Sequence, residues 1–164
     1  MKFFKNTLRR LFRTHIHPAH IQHENSAKLS AINKVMGVIE FDLAGNILSV
    51  NDNFAAVTGY RKEEILGRHH SMFVEERYRL SQDYKQFWEK LGRGEFLDGQ
   101  YKRVGKGGKE IWLQATYNPI MDAEGKVFKI VKYATDITAE KQAHSDFTGQ
   151  INAIHKVMGV IEFD

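Results

Sequence analysis

Apolar positions in the C-terminal half of the chain recur with a period of two, which predicts strands. Ile111, Leu113, Ala115 and Tyr117 alternate with residues of mixed polarity, as expected for a half-buried strand. The pattern predicts three consecutive strands at 97–104, 110–121 and 126–135. Glycine-containing turns at 105–108 and 122–125 separate them. This half therefore predicts an antiparallel meander with one apolar face.

The preceding segment predicts two shorter strands and several small helices. Strands at 38–42 and 47–50 flank Gly45-Asn46, a dipeptide typical of tight hairpins. Asn51 or Asp52 is expected to cap a short helix closed by Gly59, followed by a single turn at 62–66. Three- and four-residue spacing predicts a longer helix at 79–91. Together these elements predict an α+β half-barrel, in which helices cover the apolar face of a five-stranded antiparallel sheet and enclose any ligand.

A nearly perfect internal repeat predicts the domain boundaries. AINKVMGVIEFD begins at Ala31 and returns at Ala153, with His155 in place of Asn33. A repeat this specific indicates that a second module begins near residue 157, as the front of a longer tandem protein. We therefore divide the chain into a leader and linker (1–24), a domain with its N-terminal helix (25–138), a linker helix (139–156) and a truncated second module (157–164). The isolated strand predicted at 157–163 is expected to pair with a sheet edge or a partner chain.

Apolar residues in the flanking helices follow the spacing of a coiled-coil seam, and Gly37 is expected to end the first helix. Trp112 is predicted on the mixed face of its strand, where a helix or a second subunit could cover it. The predicted dimer or cap contacts are Leu29, Ile32, Met36, Trp112, Phe147, Ile151 and Ile154.

Composition excludes several classes of protein. The chain has no cysteine, so disulfides and thiolate metal sites are excluded, and a cytoplasmic location fits best. The net charge is +4, but five unopposed bases precede Glu24 and the rest is close to neutral. This balance argues against a nucleic-acid partner. No apolar run approaches the roughly twenty residues that span a bilayer.

The first residues allow two interpretations. Residues 1–14 place apolar and basic side chains on opposite sides of a helix, which suits an anionic membrane surface or a partner; the alternative is a solvated leader. His15, His17, His20 and His23 follow as a candidate metal cluster. The alternative is a linker in which Pro18 begins a helix.

Several motifs resemble those of a PAS domain. They are Asn51-Asp52-Asn53-Phe54, Thr58-Gly59-Tyr60, Glu63-Glu64-Ile65-Leu66-Gly67, Gly107-Gly108-Lys109-Glu110-Ile111-Trp112, Asn118-Pro119-Ile120 and Asp136-Ile137-Thr138. The resemblance covers residues 31–141 and is strongest to PAS domains of aerotaxis-type bacterial chemoreceptors, including those with tandem modules before a methyl-accepting signalling domain.

The resemblance implies a sensor that holds a small molecule or cofactor and relays redox state, oxygen or ligand through Asp136, Ile137 and Thr138 into the next helix. It also implies a homodimer and a downstream chemoreceptor signalling domain in the same chain. Thr138 suits a helix N-cap. The alternative is a ligand-free dimerisation module of a receptor or regulatory enzyme.

The resemblance to aerotaxis receptors implies FAD as cofactor, although Glu75 and Glu76 stand where a pyrophosphate would favour bases. Haem is the alternative, with His69 or His70 as axial ligand. Arg103 either points inward to hold an anion or reaches solvent through a break in register. A pocket simply filled by side chains is the third alternative. The candidate binding residues are His69, His70, Met72, Phe73, Arg103, Leu113, Ala115 and Tyr117.

No catalytic constellation stands out in the sequence. The run Gly105-Lys106-Gly107-Gly108 has no following Lys-Ser or Lys-Thr and suits a hairpin turn rather than a phosphate loop. Ser71 beside His70 lacks an orienting acid. The sequence therefore predicts a protein that is not an enzyme.

Overall fold

The computed structural model describes residues 18–158, with side chains described through residue 155. Two compact units divide at Val35 and Met36. In the first unit, helix α1 (Pro18–Val35) begins at the predicted proline and buries none of its residues. The predicted amphipathic leader, His15 and His17 lie outside the described residues, whereas His20 and His23 are exposed positions of α1.

The second unit is built on a five-stranded antiparallel sheet, as predicted. Its strands are β1 (Gly37–Phe41), β2 (Ile47–Val50), β3 (Leu97–Val104), β4 (Glu110–Met121) and β5 (Val127–Asp136). The order across the sheet is β2-β1-β5-β4-β3. The last strand, β5, therefore lies in the middle of the sheet, between β1 and β4.

Short helices join the two parts of the sheet. They are α2 (Asp52–Thr58), α3 (Lys62–Ile65), α4 (Glu76–Arg79) and α5 (Gln82–Gly92), with a 3₁₀ turn at His70–Phe73. Asn51 caps α2 as predicted, because its side chain accepts a hydrogen bond from the N–H of Phe54. The single helix predicted at 79–91 is wrong: the Ser81 hydroxyl accepts from the N–H of Tyr84, which starts a separate helix α5.

Two predicted turns differ from the structure. Gly37 does not end α1 but opens β1, where an added Cβ would lie 3.3 Å from the Ala134 carbonyl oxygen and 3.3 Å from the Phe54 ring. Met36 consequently falls between helix and strand, and its carbonyl accepts from the Asn51 amide at 2.7 Å. The first hairpin is closed by a longer loop, in which the Asp42 N–H donates to the Asn46 carbonyl.

The concave face of the sheet is the apolar face, as the alternation predicted. Leu113, Ala115 and Tyr117 are buried, whereas Gln114 is exposed and Trp112 is half-buried on the opposite face. The remaining core is formed mainly by aromatic and branched side chains, among them Ile39, Phe41, Phe54, Phe73, Phe87 and Leu91. The concave face and the short helices therefore enclose one continuous core.

The chain leaves the sheet through helix α6 (Thr138–Met158). Val157 and Met158 belong to this helix, so the strand predicted at 157–163 does not start there, and residues 159–164 lie outside the described residues. In the part of the chain that the structure describes, no helix is long and apolar enough to cross a bilayer. Residues 18–158 also contain no group of three or more carboxylate or imidazole side chains arranged for a metal ion.

Candidate functional site

Five polar or ionisable side chains meet inside the core, and we call them the interior polar cluster. They come from the 3₁₀ turn, α5, β3, β4 and β5, and are His70, Tyr84, Arg103, Tyr117 and Lys132. Four of the five are at most 4% exposed, and Tyr84 is 7% exposed. Polar groups this deeply buried need internal partners, because they have lost those that water provided.

Tyr117 is the centre of this cluster. Its hydroxyl lies 3.0 Å from His70 Nε2 and accepts a hydrogen bond from Arg103 Nη2 at 3.2 Å. Lys132 is paired with Tyr117 across the β4–β5 ladder, and its ammonium lies 4.9 Å from the centroid of the Tyr117 ring. Burial raises the pKa of Tyr117, but the Arg103 and Lys132 charges lower it by more, so its pKa lies below the usual value. One phenol thus contacts an imidazole and two cations.

His70 is held in a single orientation between two tyrosines. Its Nδ1 lies 2.9 Å from the Tyr84 hydroxyl and its Nε2 faces that of Tyr117. The ring stacks near Tyr84 and Phe87. Burial, followed by the nearby Arg103 and Lys132 charges, holds the pKa of His70 well below its usual value. The imidazole is therefore neutral, with one ring nitrogen donating and the other accepting.

Arg103 points inward, the first of the two alternatives, because the β3–β4 register is unbroken, and it is 4% exposed. Its Nη1 donates to the Lys102 carbonyl at 2.8 Å, whereas its buried Nε has no hydrogen-bond partner. Lys132 is equally buried, and burial lowers its pKa to about 8. Among residues 18–155, no carboxylate lies within 4.0 Å of either cation. The interior thus contains positive charge without a facing acid.

The two candidate haem ligands have no free ring nitrogen. His69 caps the 3₁₀ turn, because its Nδ1 accepts a hydrogen bond from the Ser71 N–H. The ring proton is therefore on Nε2, which donates to the Ala44 carbonyl at 2.8 Å. Both nitrogens of His70 face tyrosine hydroxyls. An axial ligand must offer a lone pair to iron. In this arrangement the residues do not fit haem.

The candidate flavin residues pack against one another. Phe73 meets the Phe54 ring edge-on, Met72 packs against the same core, and Leu113 and Ala115 form the wall beneath. The Phe87 and Tyr117 rings lie 4.9 Å apart. An isoalloxazine ring would have to separate the Phe87 and Tyr117 rings, so the interior as packed does not fit FAD. Binding of FAD by this chain therefore stays a prediction.

The last strand is fastened to β4 where it becomes α6. The Trp112 N–H donates to the Thr138 hydroxyl at 3.0 Å, and the Ile137 N–H donates to the Trp112 carbonyl at 2.9 Å. We call this set of contacts the exit junction. Lys141, one turn into α6, places its ammonium 5.0 Å from the centre of the Trp112 ring. A movement of β4 relative to β5 must therefore strain the start of α6.

The structure corrects the predicted role of Thr138 as N-cap. Thr138 is already helical, and its hydroxyl bonds to Trp112 and Asp136. Asp136 supplies the cap instead, because its carboxylate accepts from the Thr138 N–H at 2.9 Å. An aspartate two residues before a free N–H commonly makes this contact.

Sequence reasoning missed two members of the interior polar cluster. Lys132 lies in an apolar strand, at an inward position between Ile130 and Ala134. The alternation that placed Tyr117 inward on β4 also places Lys132 inward when it is applied to β5. The helix predicted at 79–91 includes Tyr84, but nothing in its spacing identifies His70 as the partner of that tyrosine.

Comparison with known proteins identifies relatives of this fold. A profile of the family described as the PAS fold matches residues 47–134. Biofilm dispersion protein BdlA of Pseudomonas aeruginosa is 42% identical over 136 residues, which cover 83% of this chain and 33% of that protein. The aerotaxis receptor of Escherichia coli is 31% identical over 102 residues, which cover 62% of this chain and 20% of the receptor. The chain thus spans a third or less of the length of these relatives.

Solved structures support the same fold. A PAS domain from Colwellia psychrerythraea superposes with a TM-score of 0.60 at 20% identity, covering 70% of this chain and 97% of that domain. The light-state dimer of the fungal blue-light photoreceptor Vivid superposes with a TM-score of 0.53 at 18% identity, covering 61% and 76% of the two chains. At these identities the likeness establishes the fold alone.

Proposed function

We propose that this chain, which belongs to the PAS-fold family, is the sensory module of a chemotaxis or aerotaxis receptor. The related PAS modules described above are non-enzymatic signalling modules. It responds to oxygen, redox state or a small ligand in its interior and relays the response through α6. The aerotaxis receptor and BdlA are relatives in which such a module forms a fraction of a longer chain. The sensed stimulus and the downstream signalling domain are part of this proposal.

The exit junction is the observation that carries the proposal. Tyr117 and Trp112 lie on the same strand, with Tyr117 in the interior polar cluster and Trp112 bonded to the first residues of α6. Lys132 precedes Asp136 by four residues on β5, a span of about 13 Å of extended chain. A change in the cluster therefore has short, hydrogen-bonded routes to α6 along two neighbouring strands.

The relay can be tested without knowing the stimulus. Tyr117→Phe keeps the ring but removes the hydroxyl that contacts His70 and Arg103. We expect faster amide exchange at Ile137 and Lys141, whose N–H groups bond at the junction and in the first turn of α6. Tyr133→Phe is the control, because Tyr133 lies beside Lys132 on the opposite face of β5.

Identical exchange of α6 in Tyr117→Phe and the control would refute the relay. Thr138→Val in the Tyr117→Phe background sharpens the test, because it removes the hydroxyl that joins α6 to Trp112. Thr148→Val is its matched control, since that hydroxyl bonds only within the helix, to the His144 carbonyl.

We also propose that α6 pairs with the same helix of a second copy. Phe147, Ile151 and Ile154 are spaced four and three residues apart and are 64%, 38% and 47% exposed. This spacing suits a coiled-coil seam. Sedimentation should give a dimer that Ile151→Lys dissociates; a monomeric wild-type chain at high concentration would exclude this pairing.

FAD is the cofactor that the resemblance to aerotaxis receptors favours; haem, the alternative, would require His69 or His70 to give up one of its hydrogen bonds. An absorption spectrum of the purified chain separates them, since flavin gives paired bands in the blue and near ultraviolet and haem gives a Soret band. A cytoplasmic location, with membrane contact by residues 1–14, is likewise proposed and is tested by fractionation. The division into domains 25–138 and 157–164 stays a prediction.

A further inference from the structure

The interior polar cluster contains more positive charge than its own residues neutralise. Arg103 and Lys132 are 4% and 1% exposed, and His70 and the tyrosines are the polar groups that face them. Removing an ion from water is unfavourable by several kcal/mol unless it gains a counter-charge. No acid in residues 18–155 lies within ion-pair distance of these two cations, so the arrangement lacks an anion.

The guanidinium of Arg103 retains an unused donor. Its Nη1 donates to the Lys102 carbonyl and its Nη2 to the Tyr117 hydroxyl, but its Nε is buried without a partner. The Nε and one Nη of an arginine form the planar edge that binds a carboxylate through two parallel hydrogen bonds. The unpaired atom thus belongs to the edge suited to a planar anion.

A surface cavity gives access to Arg103. It has a volume of about 210 Å³ and is lined by Glu75, Tyr78, Lys102 and Arg103. The Glu75 carboxylate at the edge of this cavity is paired with the Lys102 ammonium, whose Nζ lies 3.0 Å from Glu75 Oε1. The volume is below the roughly 300–1,000 Å³ typical of drug-sized ligands, so only a small molecule suits it.

We propose that Arg103, with Tyr117 and Lys132 behind it, binds a small organic carboxylate, which enters through the cavity beside Tyr78. The proposal deepens the proposed function, since it names the class of ligand that the sensory interior takes. The carboxylate pairs with the edge of Arg103 that contains the unpaired Nε and brings negative charge toward Lys132. It also competes for the Arg103 donor that Tyr117 now accepts, which links binding to β4 and the exit junction.

Calorimetric titration of the wild-type chain with sodium acetate, succinate and inorganic phosphate tests this assignment, with sodium chloride at equal ionic strength as the blank. We expect saturable binding of acetate or succinate that is stronger than that of phosphate. Arg103→Gln should weaken it at least about tenfold, as expected for loss of a charged hydrogen-bond donor. Arg93→Gln is the matched control, because this exposed arginine pairs with Glu95 at the surface.

Two further variants keep the test independent of folding. Arg103→Lys retains the charge but loses the planar edge and should bind with intermediate affinity, whereas Lys132→Met should bind more weakly than wild type. Both are scored only after circular dichroism confirms a folded chain. No binding by wild type, equal binding by Arg103→Gln, or tighter binding of phosphate would overturn the carboxylate assignment.

A charged Tyr117 is the competing explanation for the unbalanced cations. A tyrosinate band in the near-ultraviolet spectrum at neutral pH, absent from Tyr117→Phe and unchanged by acetate and succinate, would overturn the proposal. A copurified flavin that occupies the interior would do the same. If carboxylates fail to bind but Tyr117→Phe still changes the amide exchange of α6, the ligand assignment is wrong and the relay is supported. If carboxylates bind but Tyr117→Phe leaves the exchange of α6 unchanged, the ligand assignment is supported and the relay is wrong.

Discussion

The interior polar cluster and the exit junction share strand β4, through Tyr117 and Trp112, but differ in how their charges are balanced. Inside the core, Arg103 and Lys132 face no acid of residues 18–155 within ion-pair distance. At the junction, the Trp112 indole donates to Glu110, and Glu110 also pairs with Lys102 at 2.9 Å. An unbalanced site changes when an anion or a proton arrives, whereas a balanced one transmits movement without responding itself. This difference in charge balance is what the proposed division into a sensing interior and a relaying junction requires.

Truncation of the central tyrosine should show the largest difference between the regions. Tyr117→Ala removes a fully buried ring that touches Phe87, Tyr101 and His70. We expect the free energy of unfolding to fall by about 3–5 kcal/mol, as for other buried aromatic truncations. Ser145→Ala, at an exposed position of α6 outside the proposed seam, should change it by about 0.5 kcal/mol or less. Urea denaturation measures both, and similar losses would contradict the comparison.

Removal of the buried ammonium should stabilise the fold. Burial lowers the pKa of Lys132 from 10.5 to about 8, so the unfolded chain binds more protons between these values. The charged Lys132 therefore lowers the free energy of unfolding of the wild type below pH 8. This loss becomes smaller as the pH rises from 8 toward 10.5, because the folded chain releases the proton first. Lys132→Met should remove this contribution and raise the free energy of unfolding by up to about 3 kcal/mol at pH 7.

The measurement is the difference in denaturation midpoint between wild type and Lys132→Met from pH 7 to 10. The difference should shrink as pH rises. A constant difference would mean that folded and unfolded Lys132 hold the same number of protons over this range, so that its pKa is not lowered and a counter-charge balances the ammonium.

Protonation of His70 should destabilise the wild type in acid. Its pKa in the folded chain lies well below 6.5, because burial disfavours the imidazolium. Below pH 6.5 the unfolded chain takes up a proton that the folded chain does not, so stability falls as pH falls. The slope should reach about 1.4 kcal/mol per pH unit.

Replacing His70 by Phe should remove this slope, although it leaves the Tyr84 and Tyr117 hydroxyls without their ring partner. His144→Gln, at an exposed position of α6, should keep the wild-type profile. Thermal denaturation between pH 5 and 7 compares the three chains. A slope that persists in His70→Phe would assign the acid sensitivity to another group.

The smallest effect is expected at the exit junction. Lys141→Gln removes the cation above the Trp112 ring while leaving the helix backbone in place. An exposed cation–π contact contributes about 0.5–1 kcal/mol. Urea denaturation should show a loss of that size, with a changed tryptophan fluorescence in the folded state. A loss comparable to that of Tyr117→Ala would mean that the junction, rather than the interior, dominates stability.

Local pattern was sufficient to predict most of the fold. Alternation placed Leu113 and Tyr117 on the buried face but left two alternatives for Arg103, and three of the five strands were predicted with their observed bounds. Turn and cap chemistry located Asn51 and Gly59 correctly. These features depend on residues close in sequence, because side-chain direction and capping are set within a few positions. The break at Ser81 was missed because the apolar spacing continues across it.

The sequence by itself determined the sheet, its buried face and the family, whereas the tertiary structure decided the character of the interior. Lys132, His70 and Arg103 are far apart in the chain, and only folding brings them to one phenol. Whether a buried cation has a counter-charge depends on every element packed around it, and no local period encodes that. The same holds for Trp112 and Thr138, whose contact joins the sheet to its exit helix across 26 residues.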